Sequence, residues 1–85
     1  VTTYAFEVLV SLKPGLSDPA GTAVESALPT LGWTNVSHVR VGKHIALDVE
    51  AGDEAAAREQ VAEMAARLLS NPVIEDVRIL EVAER

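Results

Sequence analysis

Strict alternation of large apolar side chains near the N-terminus constrains this chain more than any other feature. Tyr4, Phe6, Val8, Val10 and Leu12 recur at every second position, with Ala5, Glu7, Leu9 and Ser11 between them. That period belongs to a strand with one face in a core. Residues 3–12 therefore begin a sheet, which needs neighbouring strands and a second layer over its apolar face.

Lys13-Pro14-Gly15 ends the strand, and Asp18-Pro19 opens a helix. Asp is the N-cap, and Pro takes the first helical position, where its missing N–H costs nothing. This helix is expected to reach about Leu31 and to bury Ala23, Val24, Ala27, Leu28 and Leu31, with Gly32 as its left-handed C-terminal residue and Trp33 as an apolar clasp on it. Pro29 removes a donor and crowds the carbonyl of Glu25, so the last turn should bend or tighten. Val36–Val41 reads as a second strand, Ile45, Leu47 and Val49 alternate in a third, and Gly42-Lys43 makes a tight turn between them.

Ala51-Gly52-Asp53 leads into a long helix to about Leu69, with Ala57, Val61, Met64, Ala65 and Leu68 on one face. Asn71-Pro72 stops it, and a strand from about Ile74 to Val82 buries Val77 and Ile79. Leu31, Val36, Val39, Arg40 and Val41 echo Leu69, Ile74, Val77, Arg78 and Ile79 at an offset of 38. Two such strand–helix–strand halves predict one α+β domain over residues 1–85. Its fold would be a ferredoxin-like β-α-β-β-α-β sandwich, a four-stranded antiparallel sheet with both helices on one face.

The uncovered face of that sheet would carry Glu7, Leu9, His38, Arg40, His44, Ala46, Asp48, Arg78, Leu80 and Val82. Aliphatic side chains mixed with opposite charges suit a second copy of the chain, and Leu9, Ala46, Arg78, Leu80 and Val82 are the candidate self-association residues. A chain of 85 residues builds only a marginal core, which adds to the expectation of a dimer or tetramer.

Chemistry is sparse. There is no cysteine, hence no disulfide framework, thiol nucleophile or thiolate metal site. A net charge of −6, with the basic residues scattered, disfavours nucleic acid. No run approaches the roughly 18 apolar residues of a membrane span, and no signal peptide is visible, so the expected compartment is the cytoplasm. His38 and His44 flank the expected turn near Asp48 and Glu7 but lack zinc-site spacing, and they read as surface or interface residues. The serines stand outside any nucleophile motif, and Glu50, Asp53 and Glu54 serve the start of the long helix. Lys13-Pro14-Gly15 lacks the phosphate-loop pattern, and Asp18 would repel an anion from the helix that follows.

Three stretches at element boundaries carry more information together than apart: Lys13 to Gly21, Arg40-Val41-Gly42-Lys43, and Leu69 to Glu75. In this order and spacing they resemble the small-subunit family of bacterial phosphoribosylformylglycinamidine synthase, over Tyr4 to about Val82. The resemblance implies a non-catalytic partner in purine biosynthesis, without a cofactor of its own. In that family a large synthetase subunit binds ATP, magnesium and the nucleotide, and a glutaminase subunit releases ammonia. The small subunit helps to dock the two. Carried onto this sequence, the docking or loop-shaping candidates are Lys13, Gly15, Asp18, Arg40, Lys43, Asn71 and Pro72, with Arg40 and Lys43 as charge contacts. A rival reading is an amino-acid-binding regulatory domain with the same order of elements, whose effector loop Lys13-Pro14-Gly15-Leu16 matches only loosely. Metal-carrying and RNA-binding ferredoxin-like domains are disfavoured, since no Cys-x-x-Cys loop and no paired aromatics on the central strands are present.

Overall fold

The computed structural model describes residues 1–82, and the last three residues of the expected 1–85 domain lie outside them. Strand β1 (Thr2–Leu12) is the centre of an antiparallel sheet, flanked by β2 (Gly42–Ala51) and β3 (Glu75–Val82). Helix α1 (Pro19–Ala27) runs on into a 3-10 turn at Leu28–Leu31, and α2 (Glu54–Met64) into a π turn at Ala65–Leu69. Among the described residues no helix is long and apolar enough to cross a membrane.

The alternation in β1 does what its period demands. Phe6, Val8 and Val10 are buried, joined by Val49 and Ala51 of β2 and by Ala57, Val61 and Ala65 from α2 and its extension. Asp53 caps α2, its carboxylate accepting the Ala56 N–H at 2.7 Å. The π turn was not legible in the helical period. Ser70 donates both its N–H and its hydroxyl to the Ala65 carbonyl, at 3.0 and 2.7 Å, and the widened turn rotates Leu68 out to 82% exposure, where burial was expected. Arg58 seals the side of this core. It sits 5.6 Å from the Phe6 ring centre, donates to the Ile79 carbonyl at 3.4 Å, and lies 3.8 Å from both Glu54 and Glu81. Desolvation, then Glu54, raises the Glu81 carboxyl above its ordinary range, against the lowering effect of Arg58.

The first half of the chain departs from expectation. The sheet has three strands among the described residues, not four, and Val36–Val41 is not one of them. Two carboxylates replace the missing ladder: the Val39 N–H donates to Glu25 at 3.0 Å and the Val41 N–H to Asp18 at 2.8 Å. His38, at φ 59°, also breaks the extended run in the left-handed region. The echo between the two halves is thus a sequence pattern that only the second half turns into a strand. Gly42-Lys43 is no hairpin turn either. Both residues begin β2, opposite Ser11 and Val10, and Gly42 is needed because a Cβ there would stand 2.4 Å from the Val10 carbonyl oxygen.

Nor do both helices cover one face. Only α2 packs substantially on the sheet, while α1 contacts chiefly its own 3-10 extension. Val24, Leu31 and Trp33 are 44%, 69% and 54% exposed, so the expected buried stripe and the Trp33 clasp face outward. Pro29 does tighten the helix end into a 3-10 turn, closed by Gly32 at φ 107°.

Asp18 holds this half together. It is 6% exposed, with one oxygen accepting the Gly21 N–H at 2.9 Å, the other taking Val41, and the Arg40 Nε at 3.9 Å. These two backbone donors, and then Arg40, hold its carboxyl below the usual range in spite of desolvation. Two outcomes are expected. Asp18→Asn puts an amide donor where a backbone donor already points, so it should destabilise the fold at neutral pH. The carboxylate's stabilisation is complete above the unfolded value of about 4 and is lost as pH falls through the lower folded value, so the gap to wild type should close in acid. Urea melts of both proteins from pH 7 to pH 3 measure this, and a gap independent of pH would contradict it. Gly21→Ala places a Cβ 2.3 Å from the Val39 carbonyl oxygen, so the same melts should show a loss of about 1–3 kcal/mol.

Candidate docking site

Three loops distant in sequence meet at one end of the sheet, where β1 ends and β2 and β3 begin. Gly42 lies opposite Ser11 and Glu75 opposite Leu12, so both neighbouring strands start beside the end of β1. The Lys13 N–H donates to the Ile74 carbonyl at 2.9 Å, joining the first loop to the turn before β3. Arg40 spans the second gap, donating to the Leu16 carbonyl at 3.0 Å and the Lys13 carbonyl at 3.3 Å while facing Asp18. The Lys43 ammonium donates to the Leu69 carbonyl at 3.2 Å, at the end of the π turn.

Local chemistry fixes the shape of each loop. Gly15 adopts φ 88°, which few residues other than glycine tolerate. The Asn71 side chain accepts the Val73 N–H at 3.1 Å, its carbonyl accepts the Ile74 and Glu75 N–H groups, and its own N–H donates to the Glu75 carboxylate at 2.7 Å. Pro72 stands inside that turn. A groove of about 380 Å³ lies between Ser11, Leu12, Pro14, Gly15, His38 and Arg40, and one of about 260 Å³ runs past Val10, Val41, Lys43 and Glu75.

The structure thus brings together all seven docking or loop-shaping candidates, Lys13, Gly15, Asp18, Arg40, Lys43, Asn71 and Pro72. It changes the expected role of some. Arg40 and Lys43 are not loose charges on a hairpin tip, because each ties backbone carbonyls of another loop. Glu25 and Arg58 escaped the sequence reading. Glu25 stands seven residues after Asp18, on the same side of a helix, a spacing that by itself reads as a solvated helix face.

The five self-association candidates lie on the sheet face away from α2, in three rows set by register: Asp48–Ala5–Val82, Ala46–Glu7–Leu80 and His44–Leu9–Arg78. His38 and Arg40, expected here, are absent because their segment is outside the sheet. His44 Nε2 is paired with Glu7 Oε1, whereas His38 bonds Ser37 at 3.2 Å, so the two histidines do not meet. Among the described residues no group of three or more potential metal ligands forms.

Known proteins resemble this chain in sequence and in fold. The family model for PurS, phosphoribosylformylglycinamidine (FGAM) synthase, matches residues 5–83. The phosphoribosylformylglycinamidine synthase subunit PurS of Synechocystis is 50% identical over 74 residues, covering 87% of this chain and 74% of that protein. Bacillus subtilis PurS superposes with a TM-score of 0.82 at 40% identity, over 93% of this chain and 98% of that one. A chain of the PurLQS structure from Thermotoga maritima superposes with a TM-score of 0.90 at 32% identity, over 96% of this chain and 100% of its own length. With the family's matched region running from within β1 through both helices to the end of β3, this chain belongs to the PurS family of phosphoribosylformylglycinamidine synthase subunits.

Proposed function

We propose that this chain is the non-catalytic small subunit of a phosphoribosylformylglycinamidine synthase in de novo purine biosynthesis, working in the cytoplasm. It docks a glutaminase subunit on an ATP-dependent synthetase subunit so that ammonia passes between them, as the PurLQS assembly of its relative suggests. ATP and magnesium belong to the synthetase subunit. The observation that carries this reading is the meeting of the three signature loops at one sheet end. The Arg40 and Lys43 side chains are engaged with backbone carbonyls of other loops, which makes a surface of fixed shape.

Self-association through the open sheet face fits the same role. The row bearing His44 and Arg78 and the row bearing Asp48 lie on either side of Ala46–Glu7–Leu80. A twofold axis through the middle row sets these two outer rows over each other, and it presents each docking loop twice.

Glutamine-dependent amidine formation by the synthetase and glutaminase subunits should fall sharply when this chain is omitted, and undiminished activity would refute the docking role. Lys43→Glu removes one exposed contact and should cost about 0–1 kcal/mol of stability. Its complex with the synthetase subunit should weaken, most at low salt. Arg40→Glu, which also frees the Lys13 and Leu16 carbonyls, should lower the melting temperature as well. Wild-type binding by both variants in sedimentation would exclude this end of the sheet as the contact.

A further inference from the structure

Leu68 is 82% exposed at a place where a straight helix would have buried it. It follows Val61 by seven residues and Ala65 by three, and both of those lie in the core. The π turn takes Leu68 off that stripe, and Leu69 packs against the core instead. Ser70 holds the turn open from its end, giving both its N–H and its hydroxyl to the Ala65 carbonyl. Wide turns of this kind occur frequently at functional sites. Next to the displaced leucine, Gln60, Glu63, Met64 and Arg67 line a recess of about 330 Å³ on the outer flank of α2 and its extension.

We propose that this flank, from Gln60 to Leu68, receives an amphipathic helix of the synthetase subunit, with Leu68 as the apolar anchor, the recess beside Met64 as the hole for a partner side chain, and Lys43 as the charge contact. The proposal rests on the docking role given above. Gln60, Met64 and Leu68 follow one another at intervals of four and so form a single ridge along the helix, with the recess at its side. A second helix is the occupant such a surface fits, because its own ridges repeat at the same spacing.

Charge decides between occupants. Glu63 and Arg67 neutralise each other at 2.9 Å, and the Glu75 carboxylate takes the Asn71 N–H. Lys43 is different. It lies beside Val10 on the α2 side of the sheet, gives one hydrogen bond to the Leu69 carbonyl just after Leu68, and stays exposed. The surface around Leu68 therefore offers a cation on a chain of net charge −6, and a helix carrying Asp or Glu next to its apolar stripe complements it. Two copies meeting here about a twofold axis would instead bring like surfaces together, each with its lysine. The open sheet face lies on the other side of the sheet, in the row Ala46–Glu7–Leu80. Lys43 belongs both to this flank and to the loop end assigned to the synthetase subunit, so the two surfaces are continuous and one partner covers both.

Sedimentation of the full chain with the synthetase and glutaminase subunits tests this, using Leu68→Asp and Gln60→Trp, the second of which fills the recess, alongside Lys43→Glu. Both new positions are exposed, so the free variants should keep the wild-type melting temperature and mass. Their affinity for the synthetase subunit should fall about tenfold or more, and Leu68→Met should retain it. Wild-type affinity of Leu68→Asp would overturn the proposal; if Lys43→Glu still weakens the complex in the same experiment, the docking role stands without it. A lower mass of the free Leu68→Asp chain would assign the flank to a second copy and overturn it as well. The chain has no cysteine, so a benzophenone attached to Leu68→Cys identifies the occupant in the assembled complex independently of these affinities. Adducts are expected on the synthetase subunit, at positions about three or four residues apart on one helix. Adducts confined to the glutaminase subunit or to another copy of this chain, or none at all, would exclude the proposed contact.

Discussion

The carboxylate of Asp18 is the contact on which the first half of this protein depends. Its two oxygens take backbone donors 20 residues apart in sequence, from Gly21 and Val41, and so fix both the start of α1 and the point where the chain enters β2. A buried carboxylate survives only when its lone pairs are used, and among the described residues no buried side-chain polar atom lacks a partner. Arg40 completes the knot by bonding the carbonyls of the loop that carries Asp18.

This knot explains why a segment with the apolar pattern of a strand does not become one. A ladder and a pair of carboxylates compete for the same N–H groups, and at Val39 and Val41 Glu25 and Asp18 win. Gly21 permits the close approach, since a Cβ at that position would collide with the Val39 carbonyl. The outcome is an uneven molecule. One half, β1 with β2, β3 and α2, holds the whole buried core, while the other offers apolar side chains with little to cover them.

The same end of the sheet shows how a surface acquires a fixed shape with few residues. Gly15 and Asn71 set two turns, the Lys13 N–H links them through Ile74, and Arg40 and Lys43 each anchor to a carbonyl from a distant loop. A surface held this way has little conformational entropy left to lose on binding.

Sequence alone determined the central strand, both helix starts and the tightened end of α1, because these follow from local chemistry: alternation in β1, Asp18-Pro19 and Asp53 as caps, and Pro29 before Gly32. The three motif stretches also pointed to the family that the matched region bears out. Tertiary structure decided the rest. Whether Val36–Val41 paired with a strand hinged on two carboxylates placed by a helix elsewhere, whether Leu68 was buried hinged on a π turn, and whether α1 covered its own sheet hinged on the clamp at its base. Each is a competition between distant groups for the same donor or the same apolar surface, and a local period does not record its outcome.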